Sequence, residues 1–220
     1  MLSGPEPPAG QRALSKHRIE ALTDGVYAIA ITILVLELKL PEATAVRSQA
    51  DLVQALVHLI PKFVAWIISF FVLAIFWVAN HRLFQWIKSV DPKLLWITIL
   101  TLMGASFLPF GSALVGEFSH AFISQAIYAA DMGAMGLLTL WMLSHLERHP
   151  ELCHEAMPAG VLKAARIRCW GIVATAALAV AIAAVDPRFG TMAFVLMGFI
   201  ARASRRHERT PPLPQQATAP

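Results

Sequence analysis

The feature that most constrains this chain is a succession of apolar runs separated by short polar segments. Residues 63–79, 94–115, 121–146 and 161–185 are dominated by Leu, Ile, Val, Phe, Ala and Met, with almost no charge. A bilayer core takes roughly 20 such residues wound as a helix. Inside lipid, a helix also satisfies its own backbone hydrogen bonds. Of the 220 residues, 57% are hydrophobic and only 15% charged. A soluble domain of this length cannot hide so much apolar surface in its own core. The chain therefore reads as one all-α integral membrane unit of six transmembrane helices. The first apolar segment covers residues 25–36, and the second lies within a long segment, 51–86, whose apolar part is 63–79. The four remaining spans are 94–115, 121–146, 161–185 and a short 191–201, the last two joined by a turn at 186–190.

The flanks set domain organisation and orientation. Residues 1–14 are Pro/Gly-rich, lack the apolar stretch of a signal peptide, and read as a disordered cytoplasmic N-terminus. The membrane unit is 15–204, and the basic, Pro/Gln-rich 205–220 reads as a disordered tail. The net charge of +4 is spread in clusters between the spans. It is therefore a topological signal, and nucleic acid is not expected as a partner. With the N-terminus inside, Arg12, Lys16, Arg18, Arg82, Lys88, Lys93, Arg148, Lys163, Arg166, Arg168 and the Arg202–Arg209 cluster all fall in the cytoplasm. Lys39, Arg47, Lys62 and Arg188 fall outside. That bias orients both termini inward. Cys153 and Cys169 then lie on the reducing side as thiols.

The first span is unusual. Only twelve residues separate Asp24 from Glu37, about 18 Å of α-helix, which suits a helix surrounded by protein or lining a cavity. On a helical wheel Leu22, Gly25, Ile29, Ile33, Leu36 and Leu40 form one aliphatic stripe, with Thr32 on its flank. Asp24 points away from that stripe, into the surrounding protein. Periodicity alone leaves two readings of the stripe, ordinary helix packing and a pore lining.

The residues around that span carry a resemblance. Arg18 is followed by Leu22-Thr23-Asp24-Gly25, and the second span ends in Trp77, Asn80, His81 and Phe84. The third contains Leu108-Pro109-Phe110, with Gly116-Glu117 beyond. Over residues 16–130 the chain resembles the transmembrane protein 175 family, the lysosomal potassium channel of animals and its bacterial relatives. The family pattern has Phe-Ser-Asp where this chain has Leu22-Thr23-Asp24, and a second His where it has Arg82. The resemblance implies a passive, potassium-preferring cation channel, a homotetramer in the plasma membrane of a bacterium, with the first helices around the axis. It further implies constriction rings of Ile29, Ile33 and Leu36, with Thr32 nearby. No Gly-Tyr-Gly carbonyl filter occurs. Lipid, monovalent cations and further copies of the chain are the implied partners, and permeant potassium takes the place of a cofactor.

Other polar residues carry chemistry of their own. Arg18, Thr23, Asp24, Asn80 and His81 sit near one membrane edge. They are expected to form a structural network between the first two helices, the alternative being side chains simply hydrated at the interface. Asp131 lies inside the fourth span among Ala126, Ala130, Gly133, Ala134 and Gly136. An intramembrane carboxylate is a functional candidate, and a proton- or ion-coupled transporter using Asp131 is the alternative to the channel. His145, His149, Cys153 and His154 are spaced loosely enough to be considered for a metal, though no metal site is expected. No nucleophile elbow, zinc-protease motif or phosphate loop is present, so an enzyme is not expected.

Overall fold

The structure, a computed structural model, describes residues 16–40 and 47–195. Among them the α-helices are α1 (Lys16–Ile33), α2 (Gln49–His58), α3 (Ile60–Phe84), α4 (Pro92–Glu117), α5 (Phe122–Arg148) and α6 (Ala159–Val185). Tighter 3₁₀ turns extend α1 over Leu34–Glu37, follow α5 at Pro150–Leu152, and follow α6 at Pro187–Val195. Among the described residues, five segments are long and apolar enough to cross a membrane: Lys16–Glu37, α3, α4, α5 and α6. Residues 191–195 of the expected sixth span are 3₁₀-helical. The rest of that span, and the expected disordered stretches 1–14 and 205–220, lie outside the described residues.

Local chemistry explains the boundaries. Asp91 caps α4 by accepting the Leu94 N–H at 2.8 Å, and Pro92 supplies a first-turn residue whose missing N–H costs nothing there. The long segment 51–86 is divided between two helices, and its apolar part, 63–79, lies within the second. Ser48 and Asp51 form a reciprocal capping box that starts α2, and α3 begins afresh with Pro61 in its first turn. The Ser48 hydroxyl, with the Arg47 and Ser48 N–H groups, outweighs desolvation and holds the Asp51 carboxyl below the usual range. No α2 residue is buried.

The bundle is built on α5, which packs most extensively against α6 and next against α4. Helix α3 lies on α4, and α1 rests against α3 and α4. A central core joins Tyr27 and Leu34 of α1 to Val72 and Phe76 of α3, Leu108 of α4, Met132 and Met135 of α5, and Ala176 of α6. A second core gathers Leu83, Ile87, Leu94, Ile97, Leu143, Leu146 and Leu152 at one end. Small residues permit the close approaches. A Cβ on Gly136 would lie 3.1 Å from Ile172 and 3.2 Å from Val173 of α6. Hydroxyls inside the spans bond back to their own helices: Thr98 donates to Leu94 O and Thr101 to Ile97 O, each at 2.9 Å, and Thr139 donates to Met135 O at 2.8 Å.

Gly116 and Gly133 separate two kinds of small-residue contact. A Cβ on Gly116 would stand 3.0 Å from the Lys62 backbone, whereas one on Gly133 would meet the Ala176 methyl at an ordinary 3.5 Å. Gly116→Ala should destabilise the protein by about 1–3 kcal/mol, because α3 and α4 must move apart. Gly133→Ala should be near neutral. Thermal unfolding of the detergent-solubilised protein compares them, and equal melting temperatures for the two variants would contradict the close α3–α4 approach.

Candidate ion pathway and its supporting contacts

Helix α1 has two unlike faces. Ile19, Thr23, Tyr27, Ala30 and Leu34 are buried against the bundle. The opposite stripe of Leu22, Ile29, Ile33, Leu36 and Leu40 is open: Ile29 is 60% and Leu36 66% exposed, against 1% for Tyr27 and Leu34. Among the described residues, no other candidate span has so small a share buried. Gly25 lies on the open side, with nothing within 4 Å of the place its Cβ would take. Thr32 is on the same side, and its hydroxyl donates to Ala28 O and Ile29 O, both at 2.9 Å. With its proton engaged by backbone, Thr32 presents oxygen outward.

The expected polar network divides into separate pieces. Asp24 is exposed rather than turned into the protein, which corrects the wheel assignment: it sits beside α3, at the border of the covered face. The Trp77 indole N–H donates to its Oδ1 at 2.9 Å. His81 stacks on Trp77 with ring centroids 5.9 Å apart, and the Gln85 amide nitrogen lies 3.3 Å from His81 Nε2. The structure thus joins Asp24 and His81 through Trp77. Asn80 turns inward, where it shares with Tyr27, Thr101 and Thr139 the wall of a cavity of about 10 Å³. Thr23 is buried, and its hydroxyl has no hydrogen-bond partner among the described residues. Arg18 is exposed. Neither Thr23 nor Arg18 joins the Trp77 group.

Asp131 is half-buried against Gly104 of α4, where a Cβ would come within 3.1 Å of its Oδ1. Its Oδ2 has no hydrogen-bond partner among the described residues. Nearby, Tyr128 and Ser69 share a hydrogen bond of 2.9 Å. Gly133 and Gly136 pack against α6, so the small residues around Asp131 serve helix contact. His145, His149, Cys153 and His154 do not converge, and no group of three or more His, Cys, Asp or Glu is arranged to hold a metal among the described residues. Two of these histidines instead enter a chain with acids: the His145 Nε2–H donates to Asp91 at 2.8 Å, and the His149 Nδ1–H to Glu151 at 2.9 Å.

Sequence reasoning left Trp77, Tyr27 and Asp91 without roles. The spacing of Trp77, Asn80 and His81 puts them on neighbouring positions of one helix face, a signal for the Trp77–His81 stack. The Asp91–His145 pair spans 54 positions and has no local signature.

Fold and contacts define a polytopic helical membrane protein whose first span leaves an aliphatic face uncovered by its own bundle. The family model described as endosomal/lysosomal potassium channel TMEM175 matches residues 18–109. A potassium channel of Streptomyces collinus is 35% identical over 157 residues, covering 69% of this chain and 74% of that one. An endosomal/lysosomal proton channel TMEM175 of Bos taurus is 38% identical over 101 residues, 44% of this chain and 21% of that longer protein. The crystal structure of a lysosomal potassium-selective channel TMEM175 homolog from Chamaesiphon minutus superposes with a TM-score of 0.73 at 29% identity, covering 86% of this chain and 97% of that one. The chain belongs to the TMEM175 family, a family of ion channels and not of enzymes.

The Trp77–Asp24 bond is testable as a coupling. A hydrogen bond to a charged acceptor contributes about 1.5–3 kcal/mol, and solvent at Asp24 moves the expectation to the low end. A double-mutant cycle of Asp24→Ala and Trp77→Phe, followed by unfolding in detergent, should give a coupling of about 1 kcal/mol. Independent, additive effects would remove this bond from the account of how α1 is held.

Proposed function

We propose that the chain is a potassium-preferring cation channel of a bacterial plasma membrane, assembled as a homotetramer with α1 of each subunit at the axis. The observation that carries the proposal is the open aliphatic face of α1, opposite a face packed into the bundle. A wholly lipid-facing stripe would explain the apolarity alone. It would leave unexplained why the least covered span also holds the family's most recognisable residues, and why relatives bearing them are named potassium channels. The N- and C-termini lie in the cytoplasm, by the bias of basic residues. Permeant cations and surrounding lipid are the remaining partners, and no cofactor takes part.

The mechanism follows from side-chain chemistry. Ile29, Ile33 and Leu36 carry no oxygen to replace an ion's hydration shell. Rings of them select by width and by the free energy of partial dehydration, and close by dewetting a narrow apolar tube. Thr32, its proton committed to the backbone, offers lone pairs to a passing cation or its waters. An ion-coupled carrier built on Asp131 has less support, since no second group bonds its buried Oδ2 among the described residues.

Native mass spectrometry should find four subunits, and a stable monomer or dimer would rule out the shared axis. Ile29→Asn and Ile33→Asn should wet the constriction, raise single-channel current in bilayers and reduce the potassium-to-sodium permeability ratio. Leu34→Ala, on the packed face, should cost about 2–5 kcal/mol of stability and leave selectivity alone. Reversal potentials under separate potassium and proton gradients identify the ion carried. Unaltered conductance and selectivity in well-expressed Asn variants would place the ion path elsewhere.

A further inference from the structure

At the end of the bundle that carries Lys88, Lys93, Arg148 and Lys163, two loops are tied together by backbone and side chains. Ile87 and Cys153 form an isolated antiparallel bridge. The Lys88 N–H donates to Leu152 O at 2.7 Å and the His154 N–H to Trp86 O at 3.0 Å. Beside this bridge runs a chain of four titratable groups. Asp91 uses Oδ1 to cap α4 and Oδ2 to accept from His145 at 2.8 Å, and His145 is only 4% exposed. The His145 and His149 ring centroids are 4.6 Å apart, and His149 bonds Glu151 at 2.9 Å. An acid stands at each end, with two touching imidazoles between.

We propose that the Asp91–His145–His149–Glu151 chain is a proton-responsive clasp. One proton taken up by the imidazole pair, between two fixed carboxylates, tightens the junction of the α3–α4 and α5–α6 loops and alters conduction through α3. Imidazole is the side chain that ordinarily changes charge between about pH 5 and 8. Both acids stay ionised across that interval. For Asp91, burial raises the carboxyl, but the Leu94 N–H, the His145 hydrogen bond and the nearby imidazoles outweigh it and hold it low. Glu151 is held low by its own backbone N–H and by His149, against desolvation and the Asp91 charge. A proton placed on the pair therefore makes the donor side charged as well, adding an ion pair to hydrogen bonds that the ionised carboxylates already make charge-assisted. That contribution is present on the acid side of neutrality and is lost as pH rises. It is lost again in strong acid, as the two carboxyls are protonated.

Several other charges of the surrounding elements are engaged elsewhere or solvated. Lys93 lies over the Trp141 ring at 5.9 Å, and Arg166 bonds Glu147 at 2.5 Å. Burial and the Glu151 charge raise the Cys153 thiol, while Lys88, Arg148 and His154 are exposed. The route to the pore helix is short. Trp86 and Gln85 close α3, and from Gln85 the contacts pass along His81 and Trp77 to Asp24 of α1.

The conduction part rests on the channel proposal, so the test has two arms. The first is the melting temperature of the full chain in detergent, at pH 5.5 and 8. Wild type should melt several degrees higher at pH 5.5. Asp91→Asn, which keeps an oxygen for the α4 cap, and His149→Gln, at a half-exposed site, should each lose most of that difference. A slope that persists in both variants, or is absent from wild type, overturns the clasp whether or not the protein conducts. In the second arm, current in planar bilayers is recorded while pH is changed on one side at a time. An at least twofold change, from one side only and lost in both variants, is expected. Equal profiles in wild type and variants overturn the link to the pore. Absence of current in every protein counts instead against the channel proposal, and the melting arm still decides the clasp.

Discussion

The structure depends on how α1 is seated. In a bilayer, lipid tails are as apolar as the side chains they would replace, so helix association comes from close packing and from polar bonds between helices. Helix α1 has little of either to spare. Ile19, Thr23, Tyr27, Ala30 and Leu34 form a narrow strip against α3 and α4, and one indole–carboxylate bond ties its border to Trp77. Because successive side chains turn by about 100°, a slip of one residue would bring a different set of side chains to the open side. The angular position of every aliphatic group there is set by that strip and that bond.

The remainder of the bundle gives the seat its rigidity. Helices α5 and α6 meet along glycine and alanine, close enough that Gly136 admits no side chain without displacing Ile172 or Val173. Thr98 and Thr101 of α4 lie inward and turn their hydroxyls back onto the helix's own carbonyls. Those two hydroxyls are thereby satisfied within a single helix. At one end the two inter-span loops close over a second apolar core containing Ile87, Leu146 and Leu152, so α3, the support of α1, is anchored at its last turn.

Much of this was legible in the chain itself. Hydropathy located α4, α5 and α6 to within a few residues, since long apolar runs leave little choice. The stripe of Ile29, Ile33 and Leu36 followed from the helical period, and the structure leaves that stripe uncovered. The break at Leu59 was not legible from hydropathy, because Leu56, Val57, Ile60 and Phe63 continue the apolar trend across it; the capping box at Ser48 and Pro61 carried the information instead. Asp24 was misplaced because a wheel separates opposite faces well and resolves poorly the border where this carboxylate sits. Asp91 and His145 meet only after α4 and α5 have folded against each other, a non-local pairing that neither stretch announces.

The 3₁₀ winding of Leu34–Glu37 changes what the end of α1 is able to do. A 3₁₀ turn climbs about 2.0 Å per residue where an α-helix climbs about 1.5 Å, and it advances by three residues per turn. Four residues wound this way gain about 2 Å of reach, so the apolar stretch extends farther than its length in residues implies. Rewinding them as α-helix would shorten the segment and swing Leu36 about the axis relative to Ile33, while Leu34 held its packed place. The outermost of Ile29, Ile33 and Leu36 is thus carried on the one part of α1 whose pitch is already different, a screw thread cut to a second gauge at its tip.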